Sequence, residues 1–254
     1  MSRPTGVDRR TFLKAVGLTA GLKAAGAAGA AGLAGWVLPA RVVWAAALTK
    51  AERDRMTPDE IIQRMKSGNE RFRRGQKTTQ DYLAQQRASA KGQYPAAVLL
   101  SCIDSRAPAE TIMDLGIGDV FNTRVAGNIA NEDILGSMEF ACGVAGAKVV
   151  LVMGHTACGA IKGAIDQAQL GNLTGLLAKI RPAVDATTYT GERSARNYDF
   201  VDAVARTNVE LTLADIRRRS PVIAGLESKG TVKLAGAMYN LESAAVDFLP
   251  AASR

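Results

Sequence analysis

The segment GHTACG, Gly154 to Gly159, holds the only histidine of the 254 residues, and three positions after it stands one of only three cysteines. A second segment, SCIDSR, Ser101 to Arg106, holds another cysteine, with a carboxylate and a guanidinium at alternate positions after it. Brought together, Cys102, His155 and Cys158 offer two thiolates and one imidazole. That donor set suits zinc, which takes soft sulfur and borderline nitrogen in a tetrahedron. Three protein ligands leave a fourth position for a water or for Asp104, and an open position separates catalytic from structural zinc. Zinc there would lower the pKa of its water toward 7 and make hydroxide available to attack an electrophilic carbon. Two thiolates weaken the metal as a Lewis acid, so a helper is expected. Asp104, kept ionised by a bidentate contact with Arg106, is placed to orient the nucleophile.

Other readings of these residues stay open. Cysteines are often small buried hydrophobes, a disulfide between Cys102 and Cys158 would suit an oxidising compartment, and a lone histidine is often an internal polar residue. The joint placement of the two segments favours a metal. Cys142 has no such company and reads as core.

Three stretches read as the strands that carry these residues. Ala96 to Cys102 and Lys148 to His155 are apolar runs without polar alternation, as in strands buried on both faces, and Asp119 to Val125 is a third candidate. Both chemical segments close such a strand, where open parallel sheets place their ligands. Between the second and third strands, Ile134, Leu135, Met138 and Ala141 repeat at helical spacing, giving a parallel crossover. Cys158 is expected to begin a helix, whose free N–H groups favour a thiolate, and Gly159 to let the backbone turn closely around the metal. Upstream, Thr57 with Pro58 and Glu60 opens a capped helix that Gly75 stops, an arm or a packing helix. Downstream, helices are expected over Gly159 to Gln169, Leu173 to Val184 and within Arg193 to Arg219; a strand, a turn at Asn240 and a last strand follow over Thr231 to Leu249. The sum is one α/β domain, a mostly parallel sheet flanked by helices with an N-terminal helical arm.

Residues 1–45 differ from the rest. Arg9 and Arg10 precede Phe12 and Leu13, a Gly/Ala-rich apolar run extends from Ala15 to Leu38, and small residues follow. This pattern describes a twin-arginine export signal cleaved after Ala45 or Ala47, with the mature domain over 46–254 and a bacterial periplasm as its destination. Lys23 and the glycines make the run a poor membrane anchor, so no stable span is expected after processing. Six basic residues and one acid in this segment supply most of the net charge of +8, leaving about +3 for the mature chain. No basic stripe interleaved with aromatics remains, which argues against nucleic-acid binding.

CIDSR, followed 53 residues after its cysteine by HTAC, resembles the C-x-D-x-R and H-x-x-C pair of the β-class carbonic anhydrases. The likeness runs from about Thr57 to Leu249 and includes RVAGNIAN (Arg124 to Asn131) and GSMEFA (Gly136 to Ala141). It implies reversible hydration of carbon dioxide by zinc-bound hydroxide, with one zinc per subunit on Cys102, His155 and Cys158. It also implies an Asp104–Arg106 dyad, with Asp104 binding zinc directly in a closed state. A substrate pocket of Gln93, Phe121, Phe140 and Gly159 and a homodimer or dimer-built tetramer follow from the same resemblance. In plant-like members the glutamine lines the pocket across a dimer interface. Phe140 departs from the pattern, which usually has a tyrosine, so one polar contact is lost. Hydrolysis of carbon disulfide or carbonyl sulfide on the same site, or a catalytically dead zinc-binding protein, are the alternatives.

Overall fold

The computed structural model describes Val43, Trp44 and residues 46–250. The expected export signal, residues 1–45, lies outside the described residues apart from Val43 and Trp44, and its arginine pair lies wholly outside them. In chain order the elements are β1 (Val43–Trp44), α1 (Lys50–Arg55), α2 (Pro58–Arg73), β2 (Thr79–Gln80), α3 (Tyr82–Ser89), β3 (Ala97–Ser101), α4 (Ala109–Ile112), β4 (Val120–Arg124) and α5 (Glu132–Glu139). Then follow β5 (Val149–His155), α6 (Gly159–Ile165), α7 (Gly171–Ala178), α8 (Arg181–Ala186), α9 (Tyr198–Arg219), α10 (Pro221–Ser228), β6 (Lys233–Tyr239) and β7 (Val246–Phe248). Among the described residues no helix is long and apolar enough to cross a membrane.

The central sheet has the order β4-β3-β5-β6-β7, parallel except for β7. Every residue of β3 and β5 is buried, which explains their unbroken apolar runs. Alternation is still present, but both faces are apolar: Val98, Leu100, Val150 and Val152 join one core, while Ala97, Leu99, Leu151 and Met153 join the other. Helix α9 covers the first face through Val204, Val209 and Ile216. Its close approach requires a missing side chain at Gly154, where a Cβ would lie 2.8 Å from the Val209 Cγ2. Helix α2 lies across the second face, burying Ile61, Ile62 and Met65. Its expected capping box is present: Thr57 Oγ1 accepts from the Glu60 N–H at 3.2 Å and Glu60 accepts from the Thr57 N–H at 2.7 Å. This N-terminal helical layer therefore packs on its own sheet.

The closing hairpin follows the expected pattern. Asn240 Oδ1 accepts from the N–H groups of Glu242 and Ser243, both at 2.9 Å, and turns β6 into antiparallel β7. Two expectations change. The helix expected over Leu173 to Val184 is two, α7 and α8, divided at Lys179 and Ile180. Pro182 causes the break: in one continuous helix it would offer no N–H to the Ala178 carbonyl, and its ring would clash there. The helix after Cys158 ends at Ile165, four residues earlier than expected, before Gln167 takes a positive φ of 53°.

Strand order decides where a ligand can sit. From β3 the chain moves outward to β4, then crosses back through α5 to place β5 on the other side of β3. The connections leaving β3 and β5 thus diverge and open a crevice beyond their carboxyl ends. SCIDSR leaves β3 and GHTACG leaves β5 at that crevice.

Candidate metal centre

Cys102, His155 and Cys158 meet there, with their donor atoms all within 4.8 Å of one another, and all three residues are buried. The sulfurs of Cys102 and Cys158 are 4.0 Å apart and both cysteines are free, which disposes of the disulfide alternative. Two sulfurs each about 2.3 Å from a tetrahedral zinc would stand roughly 3.8 Å apart, close to the observed spacing. The imidazole is oriented for the same purpose. Nδ1 lies 2.9 Å from the Thr156 carbonyl and, as its donor, places the lone pair on Nε2. Nε2 is buried and has no hydrogen-bond partner. An orphaned imidazole nitrogen beside two thiols is costly unless something accepts its lone pair, and a zinc ion fits that demand.

The electrostatics point the same way. With Cys158 as the donor, its hydrogen bond holds Cys102 well below the usual thiol range, helped by the Gly127 N–H, which reaches the Cys102 sulfur at 3.4 Å. Cys158, sharing that bond and buried, is pushed up, although the Ala160 and Ile161 amides at the start of α6 oppose the rise. Cys158 caps that helix as the sequence predicts. Burial presses the His155 pKa down, but the neighbouring Cys102 sulfur outweighs it and the net direction is upward. The pocket therefore carries a negative field that draws a cation.

Asp104 stands at the edge of this cluster. Arg106 donates from Nε to Oδ1 at 3.0 Å, from its guanidinium to Oδ2 at 2.8 Å and from its backbone N–H to Oδ1 at 2.9 Å. The guanidinium holds the Asp104 carboxyl well below the usual carboxylate range against the effect of partial burial. Two residues without a sequence signature of their own support the loops. Arg124 donates to the backbone carbonyls of Cys102, at 2.9 Å, and of Asp104, strapping the first ligand loop to β4. Asp202 accepts from the Ala157 N–H at 2.8 Å in the second loop. Both act through backbone atoms, which leave no pattern in a sequence; RVAGNIAN contains Arg124 but does not reveal this contact.

The expected pocket residues are not gathered around the cluster within one chain. Gln93 is exposed and precedes β3, at the end opposite Cys102. Phe121 pairs in register with Val98, three residues before the Arg124–Ser101 pair, so it lies about 10 Å toward the strand's start. Its ring meets Phe140 edge-on at 6.1 Å between centroids, and the two line a cleft of about 670 Å³ with Val98, Thr123 and Ser137. Gly159 is exposed, has no positive φ, and a Cβ there would meet nothing within 4 Å. The tight turn expected of it falls instead at Ala157, whose φ is +53°. Cys142 is buried among apolar side chains as expected.

A family model described as carbonic anhydrase matches residues 97–246. Carbonic anhydrase 2 of Mycobacterium tuberculosis is 34% identical over 184 residues, which cover 70% of this chain and 86% of that protein. Among solved structures, the β-carbonic anhydrase CcaA superposes with a TM-score of 0.58 at 26% identity, covering 77% of this chain and 94% of its own. A tetrameric β-carbonic anhydrase of the filamentous ascomycete Sordaria macrospora superposes with a TM-score of 0.56 at 25% identity, covering 64% of this chain and 84% of its own. The chain belongs to the β class of the carbonic anhydrase family, enzymes that hydrate carbon dioxide.

Proposed function

We propose that the chain carries out reversible hydration of carbon dioxide to bicarbonate and a proton, with one zinc per subunit held by Cys102, His155 and Cys158. The observation that carries this reading is the buried, unpartnered His155 Nε2 facing two free thiols. Zinc held there lowers the pKa of a water toward 7 and so supplies the nucleophile for carbon dioxide. The protein's part is orientation and charge. Asp104, ionised and fixed by Arg106 at the open side of the cluster, would accept a hydrogen bond there and so orient the nucleophile. With both carboxylate oxygens engaged by Arg106, the arrangement favours the state in which Asp104 stays off the metal. Thr156, through its carbonyl, keeps the His155 proton on Nδ1.

Assembly belongs to the same proposal. Within the described residues β4 pairs only with β3, and Phe140 beside it is 52% exposed. Apposition of a second copy along this edge would cover the Phe121–Phe140 cleft and let Gln93, Phe121 and Phe140 act across the interface. The tetrameric Sordaria macrospora enzyme supports such an assembly. Export by the twin-arginine route to the periplasm rests on Arg9, Arg10 and the apolar run after them, and loss of export in an Arg9→Lys, Arg10→Lys variant fused to a reporter would test it.

Zinc analysis of the purified protein with a stopped-flow carbon dioxide hydration assay tests the central claim. One zinc per chain is expected, with activity lost in Cys158→Ser. A zinc-loaded chain inert toward carbon dioxide would overturn it.

A further inference from the structure

Between His155 and Cys158 lies the residue of the ligand loop with the least favourable backbone. Ala157 has φ +53°, the left-handed region that a residue with a Cβ rarely adopts. Its torsions decide whether the imidazole before it and the thiol after it converge. The hydrogen bonds around Thr156 do not fix that peptide. The Thr156 N–H donates to the Tyr239 carbonyl at 3.0 Å and its hydroxyl oxygen accepts from the Leu241 N–H at 3.0 Å, which ties the near side of the loop to the end of β6. The Ala157 N–H is held from elsewhere, by Oδ1 of Asp202 at 2.8 Å, 45 residues further along and in the second turn of α9.

One helical turn before Asp202, and so on the same face of α9, Tyr198 places its ring beneath the Lys162 ammonium at 3.8 Å. Lys162 belongs to α6, the helix that Cys158 caps. The start of α9 thus grips both the loop that ends in Cys158 and the helix that begins there. Asp202 is partly buried; its carboxylate reaches the ligand loop through this backbone contact and also lies within electrostatic reach of His155. Such supports typically matter to a metal site because they orient the ligands before the ion arrives.

We propose that Asp202 is a positioning residue of the metal centre: its carboxylate oxygen holds the left-handed Ala157 peptide and thereby sets the aim of His155 and Cys158. This rests on the zinc reading above, and the experiment separates the two. Zinc affinity is measured by competition with a chromophoric chelator, site geometry by the visible absorption of the cobalt-substituted protein, and folding by melting of the metal-free form. Asp202→Ala is expected to weaken zinc binding on the order of 10- to 100-fold and to change the cobalt spectrum while metal-free melting moves little. Asp202→Asn, which keeps an acceptor oxygen at the same reach, is expected to retain the affinity and the spectrum of the unaltered protein. In an Ala157→Gly background, where a left-handed φ costs little, removal of the Asp202 carboxylate should cost less.

Unchanged zinc affinity and cobalt spectrum in Asp202→Ala would overturn the proposal. So would an Asp202→Asn variant as impaired as Asp202→Ala, and this variant decides the matter if Asp202→Ala does not fold. Failure of the unaltered protein to bind zinc at all would instead overturn the metal reading itself.

Discussion

The Asp104 oxygen nearest the His155 Nε2, at 3.8 Å, is the same Oδ2 that the Arg106 guanidinium holds at 2.8 Å. Arg106 thus fixes the carboxylate at the open side of the ligand cluster while keeping it charged. Asp104→Asn removes the charge and one acceptor; Arg106→Ala frees the carboxylate to swing. Neither touches the three ligands. Both variants are expected to keep zinc and to lose hydration activity on the order of 10- to 100-fold, read by stopped-flow assay beside metal analysis. Full activity in either would remove the pair from the mechanism.

Gly127 sits where the first ligand loop meets its support. Its φ is +70°, its N–H reaches the Cys102 sulfur, and an added Cβ would lie 2.4 Å from Cδ1 of the fully buried Ile180. Gly127→Ala therefore combines left-handed strain with overpacking and is expected to cost about 2–4 kcal/mol. Denaturant unfolding of the metal-free protein measures this directly. A variant as stable as the parent would mean that the Ala126–Asn128 turn relaxes without penalty.

The sheet and the ligands were legible because each rests on a local signal. Buried β3 and β5 appear as apolar runs, and the cysteines and histidine are scarce residue types at strand ends. The α7–α8 break was hidden because helical periodicity continues through it, although Pro182 was the available warning. Arg124 and Asp202 were not legible, since each grips backbone atoms of a loop far away in sequence: Arg124 holds carbonyls 22 and 20 residues earlier, and Asp202 an amide 45 residues earlier. Gly159 invited the wrong inference for a related reason. A glycine beside a ligand suggests a tight turn, yet the Asp202 contact allows Ala157 to make that turn instead.

Thiol chemistry should separate the three cysteines. Burial pushes the Cys142 thiol up to about 12, so at pH 8 only about 1 part in 10⁴ is thiolate, the reactive form. Cys102 lies in the opposite direction, well below the usual thiol range. In the zinc-loaded protein iodoacetamide should modify none of the three. After chelation of the metal, label is expected on Cys102 first, with Cys142 unmodified until the protein unfolds, as read by mass spectrometry of peptides. Rapid labelling of Cys142 in the folded protein would contradict its place in the core.

His155 is the single histidine of the chain; its Nδ1 is engaged by the Thr156 carbonyl and its Nε2 is the proposed metal ligand. Asp104, held below the usual carboxylate range, is too acidic to carry a proton at neutral pH. No imidazole is left to pass the proton released by hydration to solvent, the task for which a pKa near neutrality is suited. Proton release should therefore depend on water and external buffer. Raising the buffer concentration at constant ionic strength and pH is expected to raise kcat to a plateau while leaving kcat/KM for carbon dioxide unchanged, because the proton is shed in regenerating the nucleophile, after bicarbonate has departed. A kcat independent of buffer would mean that a resident side chain relays the proton. Lys162, on the helix that Cys158 caps, and Tyr198, whose ring lies beneath it, would then be the first residues to replace.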